Sequence, residues 1–367
     1  MLSPYKAKHE GYVTSDWSST GRRRLYHQRI THPAFKDTAD VVAWLGAMQG
    51  QDYIGTKWAF GLRLPGSTDA AIEQAITEGV VMRTWALRGT LHFVAPADIH
   101  WLLGLVAPRQ ITGNAGRYKE LELDEPTLIR STALIVEALQ DGQHLTRPEL
   151  FTILQANGIS TAGQRGVYML QRAGLERRTY QGEMRGKDTT FHILNEGKTL
   201  PKDEALGKLA QRYFISRGPA TLADFVNWSG LPITEARAGF ESVKAQLIEE
   251  VINGQTYWLS PEKAEHPERS LYLLPGFDEY VLGYKDRTAV MDAQFLDAIC
   301  PGGNGIFKPT IVSDGEVIGT WKRTLKKKTV EIVLEPFRAL RPDEVDGIAE
   351  AAEQFGRFVG LKAVIQY

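Results

Sequence analysis

The sequence predicts an α+β, mainly helical chain: three tandem helix–helix–helix–hairpin units followed by a β-rich, barrel-like α+β domain. Three observations predict it. Amphipathic helical stretches that end in a short pair of β-prone runs recur three times, at roughly eighty-residue spacing. After Arg269 the pattern changes to strand-like runs separated by tight turns. The chain has 367 residues, 43% hydrophobic and 24% charged, which suits two or three ordinary globular domains and leaves no apolar run long enough to span a membrane.

Residues 1–36 read as an N-terminal arm, polar and then basic, docked through Tyr26, His27 and Ile30. An S-x-x-K match at Ser3–Lys6 falls in this arm and is discounted as chemistry. Residues 37–125 form the first unit. Val41, Trp44, Leu45 and Met48 fall at i, i+3, i+4 and i+7, one apolar helix face. Gly50 is the expected end of that helix, so Gln49 and Gln51 are expected at a helix terminus. A second helix carries Trp58, Phe60 and Leu62, and a third runs from Ser67–Thr68 to Gly79. Val80–Leu87 and Thr90–Val94 then pair as a hairpin broken at Arg88–Gly89. Three helices and a hairpin is the plan of a winged helix, a helix-turn-helix with a β wing. A helix over Ala97–Val106 and a connector over 108–125 complete this unit.

The second unit spans 126–200. It has a helix over Thr127–Gln140, a capping box at Thr146-Arg147-Pro148-Glu149 that starts the next, and a third helix carrying Gln164, Arg165 and Arg172 outward. Its hairpin joins Leu175–Tyr180 to Thr189–Leu194. The third unit spans 201–268, with helices over Asp203–Arg217, Thr221–Trp228 and Ile233–Gln246. Its hairpin turns at Asn253-Gly254, a strong short-range signal. Residues 269–367 carry strands at Ser270–Leu274, Gly305–Val312, Val317–Trp321 and Thr329–Leu334, a helix over Arg341–Val359 and a last strand at Lys362–Tyr367.

One cysteine, Cys300, excludes an intramolecular disulfide, and the N-terminus has no apolar signal core. Both favour a reducing cytoplasm. A net charge of −1 argues against nucleic acid at first, but distribution matters more than the sum. Arg22, Arg23, Arg24 and Arg29 make one basic block; Arg165, Arg172, Arg177, Arg178, Arg185 and Lys187 a second; Lys322, Arg323, Lys326, Lys327 and Lys328 a third. Any one block reads as a solvated face. Three at helix–hairpin positions predict a basic groove for double-stranded DNA.

Gln49-Gly50-Gln51 is the first candidate site. As plain helix-end residues these amides would only cap or contact solvent, but they can also bind a water or a substrate edge. A glutamine does not titrate near neutral pH, so it orients a water without acting as a strong base. Asp52 is adjacent and could serve as base, although its side chain is expected to point elsewhere. Arg83, Trp85, Arg88 and His92 line the first wing, with Arg88 at its turn suited to a phosphate, Trp85 to the core, and His92 to structural hydrogen bonding. FDEYVLGYKDR holds Asp278, Glu279, Tyr280, Tyr284, Asp286 and Arg287, which make either an acid/base site or an Asp–Arg structural pair. No Walker loop, dinucleotide fingerprint or nucleophile-elbow serine is present, and the histidines show no metal-ligand spacing. The expectation is therefore no metal, no cofactor, no membrane, no obligate protein partner, and a monomer.

LGAMQGQDYIGTKWAFGLRLPG, MRTWALRGTLHFVAPADIHWLL, LLPGFDEYVLGYKDR and FKPTIVSDGEVIGTWKR, in that order, resemble the winged-helix family of AlkZ-type DNA glycosylases over nearly the whole chain. The resemblance implies tandem winged helices in a C-shaped arrangement around a basic channel. It also implies removal of N7-alkylated purines, interstrand crosslinks included, from DNA. It places the family's Gln-x-Gln catalytic motif at Gln49 and Gln51. Asp52, His92, Asp278 and Tyr284 are expected to support the motif. Gly50 departs from the apolar middle residue of that motif and is expected to loosen the loop. DNA contacts are expected from Arg83, Arg88, Arg165, Arg172, Arg177, Arg178, Arg185, Lys322, Arg323 and Lys326. Two rival readings stay open: a non-enzymatic winged-helix regulator or architectural protein, and a hydrolase working from Asp278 and Asp286.

Overall fold

The computed structural model describes residues 17–265 and 269–366; residues 1–16 of the arm, with the Ser3–Lys6 match, lie outside them. The chain opens with α1 (Trp17–His27), α2 (Thr38–Leu45), the two-residue β1 (Met48–Gln49), α3 (Tyr53–Arg63) and α4 (Asp69–Thr77). The hairpin β2 (Met82–Trp85) and β3 (Leu91–Val94) follows, then α5 (Pro96–Gly113) and α6 (Ala115–Glu120). The expected connector at 108–125 is thus largely helical. Pro108 lies inside α5, where its missing N–H removes one ladder bond without ending the helix.

The next set is α7 (Glu125–Ala138), β4 (Leu145–Thr146), α8 (Arg147–Ala156), α9 (Arg165–Leu175), β5 (Thr179–Arg185) and β6 (Asp188–Ile193). The Thr146–Glu149 capping box starts α8 as expected. Then come α10 (Lys202–Arg217), α11 (Leu222–Ser229), α12 (Ile233–Val243), β7 (Ile248–Ile252) and β8 (Gln255–Leu259), the last two joined at Asn253-Gly254. The C-terminal part contains β9 (Leu271–Leu274), α13 (Glu279–Leu282), α14 (Leu296–Ile299), β10 (Thr310–Ser313), β11 (Glu316–Leu325), β12 (Thr329–Pro336), α15 (Pro342–Val359) and β13 (Lys362–Gln366).

Two features depart from a string of separate modules. First, the first two hairpins merge into one six-stranded sheet, β1-β3-β2-β5-β6-β4, joined where Arg83 on β2 opposes Gln181 on β5. Second, the cores are shared. Trp58 and Phe60 of α3 pack in one cluster with Trp321, Phe355 and Phe358 of the C-terminal part. The Trp58 indole donates to the Leu273 carbonyl at 2.7 Å. Burying large aromatics across such a seam contributes on the order of 2–3 kcal/mol per side chain and ties the segments together. The C-terminal sheet runs β13-β12-β11-β10-β9 with free outer strands, so it is an open curled sheet rather than the expected barrel. Helix α15 connects the parallel pair β12 and β13 and covers one face.

The arm docks through Tyr26, His27 and Ile30 as expected, all three buried, but over the described residues it begins as the helix α1: Leu25 is buried there, and Arg24 is fully buried with its Nε on the Pro219 carbonyl at 3.0 Å.

Candidate active site

Helix α2 ends earlier than its apolar spacing predicts. Gly46 adopts φ +78°, a left-handed turn that a side chain resists, and the chain leaves the helix there. Met48 is buried from a strand, not from a helix face. Met48 and Gln49 pair with Phe93 and His92 of β3, and the Gly50 N–H donates to the Leu91 carbonyl at 2.7 Å. Asp52 caps α3, its Oδ1 accepting from the Gly55 N–H at 3.0 Å. The two glutamines therefore bracket the junction between an edge strand and the start of a helix.

Gly50 does not loosen this junction. Arg83 Nε donates to its carbonyl at 2.9 Å, and an added Cβ would lie 3.2 Å from the Phe93 ring. The position is tied on both backbone groups and has little room for a side chain.

The side chains of Gln49 and Gln51 interlock. Gln49 Oε1 accepts from the Gln51 backbone N–H at 2.5 Å, and Gln49 Nε2 donates to Gln51 Oε1. Gln49 is 5% exposed, whereas Gln51 is open to solvent. Gln49 is also pinned through its backbone: its N–H donates to Glu279 Oε1 at 3.1 Å and its carbonyl accepts from Thr56 Oγ1 at 2.8 Å.

Behind the pair lies a buried ionic layer. Glu279 Oε2 accepts from Arg217 Nη2 at 2.7 Å and from the Trp228 indole at 2.8 Å. Burial alone would raise the Glu279 carboxyl, but Arg217's charge and hydrogen bonds outweigh it and hold the group below the ordinary glutamate value. Arg217 also donates to the Leu45 and Ala47 carbonyls at 2.7 and 3.2 Å, closing the turn that leads into β1. His92 is fully buried, with Nδ1 at 2.9 Å from the Thr90 carbonyl; burial, helped by the nearby Arg88 charge, lowers it to about 4. It is a neutral imidazole at physiological pH, as expected of a structural histidine.

The FDEYVLGYKDR carboxylates do not converge. Asp278 pairs with buried Arg63 (Nη1 to Oδ2, 3.0 Å), so its structural partner is Arg63 and not Arg287. Asp286 Oδ1 accepts from Thr288 instead. Tyr284 is buried, its hydroxyl donating to the Arg217 carbonyl at 2.7 Å. These facts remove the hydrolase built on Asp278 and Asp286. Asp52 is engaged too: Arg323 Nη2 lies 2.8 Å from both of its oxygens. That contact brings the β11–β12 hairpin beside the glutamines. Its turn, Lys326–Lys328, is exposed, and Lys327 and Lys328 have no ion-pair partner among the described residues.

Most of the other basic candidates are committed elsewhere. Arg83 is buried and also donates to Gln181 Oε1 at 2.8 Å. Arg88 is exposed at the β2–β3 turn but donates to the Trp228 carbonyl at the end of α11. Arg165 donates to the Ser160 and Glu122 carbonyls at 3.0 and 2.9 Å. Arg172 does not face outward: it is 8% exposed and clamped between Glu125 and Glu176. Arg185 bonds the Glu149 carboxylate, Lys322 pairs with Glu335, and Lys326 with Glu331. In the first block, Arg23 and Arg29 pair with Glu250 and Glu262. Arg178 is exposed and Arg177 half-buried, both without an ion pair among the described residues. Arg177 lines a cleft of about 820 Å³ together with Arg88 and Arg109.

A family model described as "DNA glycosylase AlkZ-like" matches residues 42–358. The chain belongs to this family. AlkZ-like proteins are DNA glycosylases, hydrolases of N-glycosyl bonds, so the substrate class is DNA. The curated relative is an "Interstrand DNA cross-link repair glycosylase" from Streptomyces sahachiroi, 25% identical over 95% of this chain and 98% of its own length. The solved structure "Streptomyces sahachiroi DNA glycosylase AlkZ" superposes with a TM-score of 0.76 at 24% identity, covering 96% of this chain and 100% of that one; it supports the fold. No helix among the described residues of this AlkZ-like chain is long and apolar enough to cross a membrane. The partners Glu279, Arg217 and Arg63 were not legible as a unit in sequence. The one trace was the Asp278-Glu279 pair itself, two acids heading an otherwise apolar segment.

Proposed function

We propose that this AlkZ-like protein releases cationic N7-alkylated purines from duplex DNA, interstrand crosslinks included, using a water oriented by Gln51, which Gln49 holds in place. The interlocked amide pair, rigid at Gln49 and open at Gln51, carries this reading. Each amide oxygen here accepts one hydrogen bond and keeps a second lone pair, enough to receive a water. Alkylation at N7 makes the base a good leaving group without a proton, so the enzyme need only position water and stabilise the cationic sugar. With Asp52 bound by Arg323, no unengaged carboxylate stands beside the motif among the described residues. The crosslink part of this reading extends the relative's printed role to this chain.

The three helix–helix–helix–hairpin sets are proposed as winged-helix units, 37–125, 126–200 and 201–268, curving as a C around the duplex, with the C-terminal part at 269–367 lending its β11–β12 turn as a basic edge. A bulky crosslink cannot enter a flipped-base pocket of the usual kind, so the base is expected to stay in the groove. The test is base release from duplexes carrying N7-methylguanine or uracil. The expected result is release of N7-methylguanine with no measurable uracil release. Rapid uracil release would overturn the mechanism, and no release of any cationic purine would favour the DNA-binding regulator.

A further inference from the structure

The sequence spacing shows no metal site, yet folding gathers one set of donors outside the glutamine motif. His144, just before β4, Glu183 on β5 and His192 on β6 place one ligand atom each within 4.8 Å of one another. His192 Nε2 lies 2.9 Å from Glu183 Oε2, and His144 Nδ1 lies 3.6 Å from Glu183 Oε1. The two imidazoles stack at 3.7 Å. A tetrahedral Zn²⁺ with bonds of about 2.0–2.1 Å sets its ligand atoms roughly 3.3 Å apart, between these two separations.

The backbone is shaped for this cluster. The β5–β6 register slips between Gln181 and Met184, a bulge that turns Glu183 toward the histidines. Gly182 sits under His192 so closely that a Cβ would fall 2.1 Å from Nε2. The other ring nitrogen, Nδ1, lies 3.3 Å from the Tyr180 hydroxyl, an outer oxygen partner that can orient a metal-bound imidazole. Arg185 Nη2 donates to the His144 carbonyl at 2.7 Å and fixes that residue's backbone.

We propose that His144, Glu183 and His192 bind a divalent transition-metal ion of the zinc type, with water in the fourth position. Two imidazoles and a carboxylate suit zinc better than magnesium or calcium, which prefer all-oxygen shells. The ion braces three neighbouring strands of the sheet that also carries β1 and Gln49.

The test uses the full-length protein, stripped with chelator and titrated with Zn²⁺ or Co²⁺ alone. One equivalent binds, and the cobalt form shows the intense visible bands of a four-coordinate ion. The His144→Ala variant loses at least about 100-fold in affinity while keeping the metal-free melting temperature, because that side chain is half-exposed. Glu183→Gln gives a second variant, with the same expected loss. Zn²⁺ raises the melting temperature of the wild type and of neither variant. Absence of binding, or binding unchanged by both substitutions, would overturn the site.

Discussion

Two sets of charges flank the glutamines, and they do opposite things. Behind Gln49, Glu279 with Arg217 and Asp278 with Arg63 are buried, each acid matched to a guanidinium and each also holding backbone. In front, the β11–β12 turn exposes Lys326–Lys328 to solvent, with only Lys326 paired. The residue types are those a sequence reader would score alike. What separates them is whether folding brings an opposite charge and a dry wall within reach. A buried matched pair fixes geometry and is costly to break from one side. An exposed lysine remains free to exchange its carboxylate, if it has one, for a phosphate.

The largest expected effect sharpens the buried side. Glu279→Ala leaves Arg217 uncompensated and should cost about 3–5 kcal/mol of unfolding free energy, read by denaturant titration. A cost below about 1 kcal/mol would mean that the layer is wet and that Gln49 has another anchor.

Next is acid sensitivity. His92 is held near 4 when folded against 6.5 in the unfolded chain, so the unfolded state takes up the proton first. Its contribution is intact above pH 6.5 and is lost as pH falls toward 4, by roughly 3 kcal/mol in total. His92→Gln should flatten that part of the stability–pH curve. An unchanged slope would show that His92 does not titrate there.

The exposed side is broken more gently. Replacing Lys326, Lys327 and Lys328 by alanine should weaken duplex binding about ten-fold at low salt and flatten the salt dependence by about 2–3 units of slope, with the melting temperature kept. An unaltered slope would remove the hairpin from the DNA path. The smallest effect belongs to Arg185→Ala, about 0.5 kcal/mol or less of stability for a solvent-exposed pair. A large loss of DNA binding there would restore that arginine as a contact.

Much of the fold was readable from local signals. The Thr146–Glu149 box, the Asn253-Gly254 turn and the strand runs after Arg269 each depend on residues close in sequence. The end of α2 was misread because Met48 continues a helical spacing although Gly46 has already turned the chain. The merged sheet and shared cores depend on pairings such as Arg83 with Gln181 and Trp58 with Phe355, which no local pattern encodes. The same limit applies to the charges. Arg172 on its own helix looks like a surface cation, and only Glu125, from a different helix, reveals it as a strut. Gln49 and Gln51 could be singled out as a motif, but their interlock and the bond from Gln49 N–H to Glu279 needed three dimensions.

The most direct measurement is single-turnover release of N7-methylguanine by the Gln51→Ala variant, alongside its affinity for the same duplex. The account predicts that release falls by about 100-fold or more while the dissociation constant stays within about two-fold, because Gln51 acts on the water and not on the backbone. Release close to wild type, or a loss of binding as large as the loss of release, would contradict it.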